Sequence, residues 1–123
     1  MKTANDYLDE ANAVVPKIST EEGIAKHAAG NTVFVDVRDG TEIEASGTIA
    51  GALRIPRGMM EFRADPTHAL HDKGLSMDAD IVLICGAGGQ AALTGKTMKD
   101  MGYQNVSNVG GFTAWKDAGG PVE

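Results

Sequence analysis

Length, composition and charge limit the classes of protein to which this chain can belong. Its 123 residues match one compact domain and 42% of them are hydrophobic, so we expect a single domain over residues 1–123. The formal net charge is −6 and Lys and Arg form no cluster, which argues against nucleic-acid and anionic-membrane partners. No stretch approaches about 18 consecutive apolar residues, so the sequence predicts no membrane span, no secretory signal and a cytoplasmic location.

The cysteine and histidine content argues against two kinds of site. Cys85 is the sole cysteine, so neither an intramolecular disulfide nor a cysteine-rich zinc site can form. The three histidines, His27, His68 and His71, have no partners at metal-ligand spacing. We therefore expect no metal site.

Two helices are predicted before the first strand. Apolar residues at helical spacing predict a helix over residues 4–13, ended by Pro16, so that residues 1–15 form an N-terminal helical extension. Residues 17–19 suit a short edge strand. A second helix is predicted from Thr20, whose hydroxyl can cap it, to about residue 29, where Gly30 ends it.

Strands and helices alternate through the rest of the chain. The continuous apolar runs 32–37 and 81–85 predict strands covered on both faces, as in a parallel sheet. Two shorter strands are predicted at residues 52–55 and 105–109. Three helices are predicted at residues 57–65, at residues 89–101 and beyond residue 111. This order predicts an α/β domain with a small parallel sheet flanked by helices on both faces.

The segment IVLICGAGGQAAL, residues 81–93, allows two functional interpretations. In the first it binds a dinucleotide, because Gly86, Gly88 and Ala91 fit the pattern G-x-G-x-x-A between a strand and a helix. Two observations count against this interpretation. No acidic residue to hold a ribose ends the next strand, about 20 residues on, and only about 30 residues follow the loop, too few for a second half-sheet.

In the second interpretation Cys85 is a nucleophile. It lies where a strand ends and a helix begins, so loop amides and the positive end of the helix would favour thiolate over thiol. The small residues 86–89 would leave the sulfur open to a substrate. The simpler alternative is a buried core cysteine, because a free cysteine often packs as a small hydrophobic residue.

Three segments, taken together, carry a family likeness. VFVDVRDGTEIEASGTIAGALRIP contains Asp-Val-Arg followed by a Gly-rich segment, IVLICGAGGQAAL contains the cysteine loop, and MGYQNVSNVGGFTAWKDAGGPVE contains Gly-Gly-Phe and Ala-Trp. In this order they resemble the single-domain rhodaneses, a sulfurtransferase family, from about residue 18 to residue 123. The family has Gly-His-Ile-Pro-Gly-Ala after Asp-Val-Arg and Cys-x-x-Gly-x-Arg in its loop. The C-terminal segment is the most specific of the three.

The resemblance implies an activity and a set of site residues. Cys85 would attack a sulfane sulfur, hold it as a persulfide and pass it to cyanide or a thiol, including a protein sulfur-relay partner. Asp36 and Arg38 would support the site, and no metal or organic cofactor is implied. The loop amides would stabilise the sulfur anion, and the implied substrate-binding residues of the loop are Gly86, Ala87, Gly88, Gly89 and Gln90.

Four positions depart from the family pattern, namely Gln90 for Arg, Ala91 for Ser, Thr48 for His and Ala50 for Pro. Without the arginine the site lacks a fixed cation and a bidentate donor, so binding of thiosulfate, a dianion, should suffer most. Three hypotheses follow. In the first, the sulfur donor is a neutral or larger persulfide or a protein. In the second, Arg54 or Arg57 supplies the missing charge, and we assign Arg57 to substrate binding. In the third, the domain has become a weakly catalytic binding or regulatory module.

Two further expectations concern charged residues. Cysteine phosphatases need Cys-x5-Arg, whose arginine clamps phosphate, and the corresponding residue here is Ala91, so no phosphatase activity is expected. In the Asp-Val-Arg segment, we expect Asp36 to make a structural ion pair or a strand-end hydrogen bond. We expect Arg38 to form an ion pair with Glu42.

Overall fold

A computed structural model describes residues 1–123 and contains one four-stranded sheet in which every strand pair is parallel. The strands are β1 (Thr32–Asp36), β2 (Leu53–Arg54), β3 (Asp80–Cys85) and β4 (Asn105–Gly111), in the spatial order β2-β1-β3-β4. The helices are α1 (Ala4–Val14), α2 (Thr20–Ala29), α3 (Gly40–Ser46), α4 (Met60–Arg63), α5 (Gly89–Asp100) and α6 (Phe112–Asp117). The predicted α/β class is confirmed. None of these helices has the length and apolar character needed to cross a membrane.

The two N-terminal helices begin at side-chain caps. At the start of α1 the Thr3 hydroxyl accepts the Asp6 N–H, and the Asp6 carboxylate accepts the Thr3 N–H, which is a complete capping box. The predicted cap of α2 is wrong by one residue. Ser19 has extended backbone and its Oγ accepts the Glu22 N–H at 3.1 Å, so Thr20 is already the first helical residue.

Three segments differ from their predicted structure. Residues 17–19 do not form a strand, and a single bridge joins Lys17 to Asn108. The predicted helix 57–65 is divided into a 3-10 turn at Arg57–Met59 and the short helix α4. The helix α3 was not predicted, since it begins with Gly40 and Thr41, has no side-chain cap and buries only Ile43.

The strands place alternate side chains in two separate cores, because neighbouring residues of a strand point to opposite faces. One face carries Val35, Ile81 and Leu83 and packs against residues of α4 and α5. The other carries Phe34, Val82 and Ile84 and packs against Phe112 and Trp115 of α6 and Ile24 of α2. Helices therefore cover both faces of the sheet, as predicted from the continuous apolar runs.

The order of the strands determines where a ligand can bind. From β1 the chain moves to β2 at one edge and then returns to place β3 on the other side of β1. In open parallel sheets, ligands bind beyond the carboxyl ends of the strands at such a reversal. Asp36 ends β1 and Cys85 ends β3, so these two predicted site residues lie at this reversal.

The N-terminal helix α1 packs on α5 through a position without a side chain. A Cβ added to Gly95 of α5 would lie 2.9 Å and 3.0 Å from the two Cγ atoms of Val15, and 3.5 Å from Cδ1 of Leu83. Val15 and Gly95 are both buried, so the helices approach closely along this contact.

The prediction that residues 1–123 form one domain stays a prediction.

Replacing Gly95 by valine should destabilise the fold. Overpacking of a filled core costs about 1–3 kcal/mol, more than the fraction of a kcal/mol that leaving glycine returns in helix propensity. Chemical denaturation followed by Trp115 fluorescence measures the loss. The control is Gly40→Val in α3, where nothing lies within 4 Å of an added Cβ. Equal stability of the two variants would contradict this packing.

Candidate active site

The sulfur of Cys85 accepts two backbone N–H groups. The N–H of Gly88 lies 2.9 Å from Sγ and the N–H of Ala91 lies 3.4 Å from it. Gly88 immediately precedes α5 and Ala91 belongs to its first turn, where N–H groups have no partner inside the helix. The chain between them therefore curls around the sulfur and directs partial positive charge at it.

Only part of the predicted set of loop amides contacts the sulfur. Gly88 does so, whereas the N–H groups of the other four residues make no hydrogen bond to Sγ; these are Gly86, Ala87, Gly89 and Gln90. Ala91 was not among the predicted residues. Its contact with the sulfur could have been expected from the predicted start of the helix at residue 89. The free N–H groups of a first turn extend to the third residue of a helix, which here is Ala91.

The sequence led us to expect that the glycines leave the sulfur of Cys85 open to a substrate, and this expectation is wrong. Cys85 is 1% exposed. Gly88 instead allows the backbone of the loop to turn, since its φ of +98° lies in the left-handed region. Gly111 of β4 allows close packing, because a Cβ there would collide with the carbonyl oxygen of Gly86. These glycines shape the loop around a buried sulfur.

Asp36 and Arg38 form a buried ion pair beside this loop. Nη2 of Arg38 lies 2.8 Å from Oδ2 of Asp36, and the two side chains are 6% and 0% exposed. The predicted pairing of Arg38 with Glu42 is wrong. Because β1 ends at Asp36, the chain turns there and the guanidinium reaches back to the carboxylate. Its hydrogen bonds to Asp36 raise the pKa of Arg38 above the ordinary value, so Arg38 stays cationic.

The remaining contacts of this ion pair satisfy its polar atoms. Thr48 donates its hydroxyl to Oδ2 of Asp36 at 2.7 Å, from the position where the family pattern has histidine. Arg38 donates to the Ser46 hydroxyl and to the carbonyl oxygen of Gly47, both at 2.9 Å. Its guanidinium carbon lies 4.7 Å from the centroid of the Phe112 ring, within range of a cation–π contact. The network ties β1, the end of α3 and α6 together beside the site.

A cavity of about 290 Å³ lies next to the loop. Gln90 and Arg57 both line it, so the structure brings these two predicted residues together, whereas Arg54 does not line it. The other lining residues are Val37, Asp39, Gly58, Met60, Glu61, Thr94 and Thr97. Val37 and Met60 also belong to the same hydrophobic cluster as Cys85.

The side chain of His27 has a structural role and lies against the aromatic residues of one core. The ring of His27 hydrogen-bonds the carbonyl oxygen of Ala50 at 2.7 Å and lies against Phe34 and Trp115. Across residues 1–123, no group of three or more His, Cys, Asp or Glu side chains is arranged to hold a metal ion.

Comparison with known proteins identifies the family. The family model described as "Rhodanese-like domain" matches residues 19–118. This range contains β1, the cysteine loop and β4. The chain belongs to the rhodanese-like domain family.

Three similar proteins illustrate the range of the family. The Bacillus subtilis protein named "Putative sulfur carrier protein YrkF" is 28% identical over 110 residues, 89% of this chain and 55% of that protein. A structure from Rhodopseudomonas palustris, described as a protein of unknown function and possible tyrosine phosphatase, is 40% identical with a TM-score of 0.93, covering 100% of this chain and 96% of that one. The polysulfide-sulfur transferase homodimer of Wolinella succinogenes is 26% identical with a TM-score of 0.74, covering 94% and 83%.

Two of these three proteins are named for handling sulfur, one as a putative sulfur carrier and one as a polysulfide-sulfur transferase. The chain spans about half the length of the curated relatives it matches.

Removing the charge of Asp36 should strongly destabilise the fold. In Asp36→Asn the buried guanidinium of Arg38 loses its counter-charge, and breaking one side of a buried pair costs about 3–5 kcal/mol. Urea denaturation measures the change in the free energy of unfolding. The control is Glu10→Gln, which breaks the exposed Lys2–Glu10 pair and should cost less than about 1 kcal/mol. A loss no larger in Asp36→Asn than in the control would contradict the structural role of the pair.

Proposed function

We propose that this protein is a sulfurtransferase in which Cys85 takes up a sulfane sulfur as a persulfide and passes it to an external acceptor. The observation that carries the proposal is the pair of N–H groups, from Gly88 and Ala91, that point at Sγ. Fixed donors of this kind stabilise a sulfur anion without having to reorganise during the reaction. They favour the attacking thiolate, and they favour the same thiolate as the leaving group when the persulfide is unloaded.

The buried cation beside the site adds to this stabilisation. Asp36 is the largest cause of the raised pKa of Arg38, and a negative charge at Cys85 acts on that pKa in the same direction. The guanidinium and a thiolate at Cys85 therefore stabilise each other. Arg38 is held by Asp36, Ser46 and Gly47, so it acts from a fixed position.

The reaction balances without an oxidant or a cofactor. The Cys85 thiolate attacks the outer sulfur of a donor R–S–SH, a new S–S bond forms, and the donor's S–S bond breaks with its electron pair leaving on RS⁻. With thiosulfate the leaving group is sulfite. Cyanide then attacks the outer sulfur of the persulfide, leaves as thiocyanate and returns the Cys85 thiolate.

Unloading must use an acceptor outside the chain. Cys85 is the sole cysteine, so no second thiol of this chain can resolve the persulfide as an internal disulfide. The acceptor is cyanide, a small thiol or the thiol of a relay protein. Because the reacting thiol must be kept reduced, we place the reaction in a reducing compartment, the cytoplasm.

The cavity beside Gln90 favours a donor other than thiosulfate. Its lining residues include one arginine, Arg57, and two acidic residues, Asp39 and Glu61, so the charge around the cavity does not suit a dianion. Thr94, also in the lining, has a buried hydroxyl without a hydrogen-bond partner that a polar ligand could use. We propose a persulfide of lower charge, small or carried by a protein, as the donor.

The description of the Rhodopseudomonas palustris structure raises phosphatase activity as a second candidate. A phosphatase loop needs an arginine to clamp the phosphate dianion, and in this chain positions 90 and 91 are Gln and Ala. The charge of the cavity counts against phosphate for the same reason as against thiosulfate.

Persulfide formation is tested by the intact mass of the purified protein. After incubation with thiosulfate or glutathione persulfide the mass should rise by about 32 Da, one sulfur atom, and cyanide should reverse the gain. Cys85→Ser should show no gain. If no sulfane donor produces an adduct on the folded wild-type protein, the sulfurtransferase proposal is wrong and a binding or regulatory module takes its place.

Restoring the loop arginine should improve the use of thiosulfate. Gln90→Arg returns a charged, bidentate donor to the cavity, so the KM for thiosulfate should fall by about tenfold, while the KM for a persulfide of lower charge changes little. Thiocyanate formation in steady state gives both constants. The control Gln90→Met removes the amide without adding charge and should not lower the KM. An unchanged KM in Gln90→Arg would show that residue 90 is not the anion site.

A further inference from the structure

The loop around Cys85 is held from behind by one side chain of β4. We infer that Asn108 is a positioning residue, which fixes Gly88 so that its N–H points at the sulfur of Cys85. The inference rests on the proposed function only in taking Cys85 as the reacting group. No part of the sequence pattern singled out Asn108.

Asn108 uses both ends of its side-chain amide. Its Nδ2 donates to the carbonyl oxygen of Gly88 at 2.9 Å, and its Oδ1 accepts the N–H of Gly110 at 2.8 Å. The residue is 3% exposed, so water does not compete for these bonds. The same glycine whose carbonyl is held by Asn108 donates its N–H to Sγ of Cys85 at 2.9 Å.

The geometry of β4 directs the Asn108 side chain to this contact. Leu83 of β3 pairs with Asn108, but the next residue, Ile84, pairs with Gly110, so Val109 is an extra residue in β4. Such an irregularity bends a strand and re-aims its side chains, and it is frequent next to active sites. Gly110 has a φ of +95°, and its N–H is tied back to Asn108 by the second bond.

Asn108 supplies the one side-chain hydrogen bond to the carbonyl oxygen of Gly88. Gly88 lies outside regular structure, in a left-handed conformation that a glycine can easily leave. Its carbonyl oxygen also accepts the N–H of Ala92, the first bond of α5, so loss of Asn108 leaves α5 intact and frees the peptide before it. The N–H of Gly88 would then spend less time directed at the sulfur, and the thiolate would be less stabilised.

The backbone of Asn108 has a separate structural role. Its N–H donates to the carbonyl oxygen of Pro16, and its carbonyl accepts the N–H of Ile18. These bonds hold the segment before α2 against β4. They do not involve the side chain, so substitutions at residue 108 retain them.

The test compares Asn108→Ala and Asn108→Leu with the wild-type protein. Leucine branches at the same carbon as asparagine, although it is larger, and makes neither side-chain bond. Because Cys85 is the sole cysteine, thiolate absorbance at 240 nm and the rate of alkylation by iodoacetamide both report on it alone. We expect the midpoint of the thiolate titration to rise by about 0.5–1 pH unit, and alkylation at neutral pH to slow by about three- to tenfold.

A control separates positioning from general stability. Ser107 is the neighbouring residue of β4, and its hydroxyl has no hydrogen-bond partner, so Ser107→Ala should leave both the titration and the alkylation rate unchanged. A purely structural Asn108 would lower the melting temperature of its variants without moving the thiolate titration. That result, in folded variants, overturns the inference.

A third variant keeps the inference testable if the Asn108→Ala and Asn108→Leu variants do not fold. Asn108→Asp is nearly isosteric, keeps the acceptor for Gly110 and loses only the donor to Gly88. The added negative charge also disfavours a thiolate, so an unchanged midpoint in this variant rules the inference out. These readouts need no sulfur donor. A shifted midpoint in Asn108→Ala or Asn108→Leu, in a protein that forms no persulfide, would therefore uphold the positioning role and reject the sulfurtransferase function.

Discussion

The constraint on which the site depends is that a short loop must wrap around the sulfur of a cysteine buried at the end of a central strand. Cys85 is 1% exposed, and Gly88 and Ala91 direct their N–H groups at its Sγ. A loop this tight needs support from its neighbours. β4 supplies it at Gly111, which packs on the Gly86 carbonyl, and at the side chain of Asn108. The order of the strands brings these ends together, because β3 lies between β1 and β4.

The elements that could be predicted from the sequence are those with a strong local signal. The apolar runs that form β1 and β3 are long and rich in β-branched residues, and Gly30 and Pro16 mark the ends of helices. The helix α3 could not be predicted, because it is short, begins with Gly40 and Thr41, and is stabilised by burying Ile43 in a core that forms only on folding. The segment 17–19 failed as a strand because its backbone bonds go to a single residue of β4.

The candidate site shows the same division between local and long-range information. The position of Cys85 between a strand and a helix is local, and the family resemblance added Asp36 and Arg38. The bond from Asn108 to Gly88 joins residues that lie far apart along the chain, so no spacing rule reveals it. Pairing Arg38 with Glu42 used a spacing that suits a helix, whereas the strand end turns the guanidinium back onto Asp36. The burial of the sulfur also required the whole fold to be known.

The central claim is that the N–H groups of Gly88 and Ala91 stabilise the Cys85 thiolate with which the transfer begins and ends. Amide chemical shifts of the protein, recorded by two-dimensional NMR before loading, after a sulfane donor and after cyanide, test it directly. The account predicts that the Gly88 and Ala91 amide signals move on loading and return with cyanide, and that both stay still in Cys85→Ser. A persulfide that forms while these two signals remain in place would contradict it.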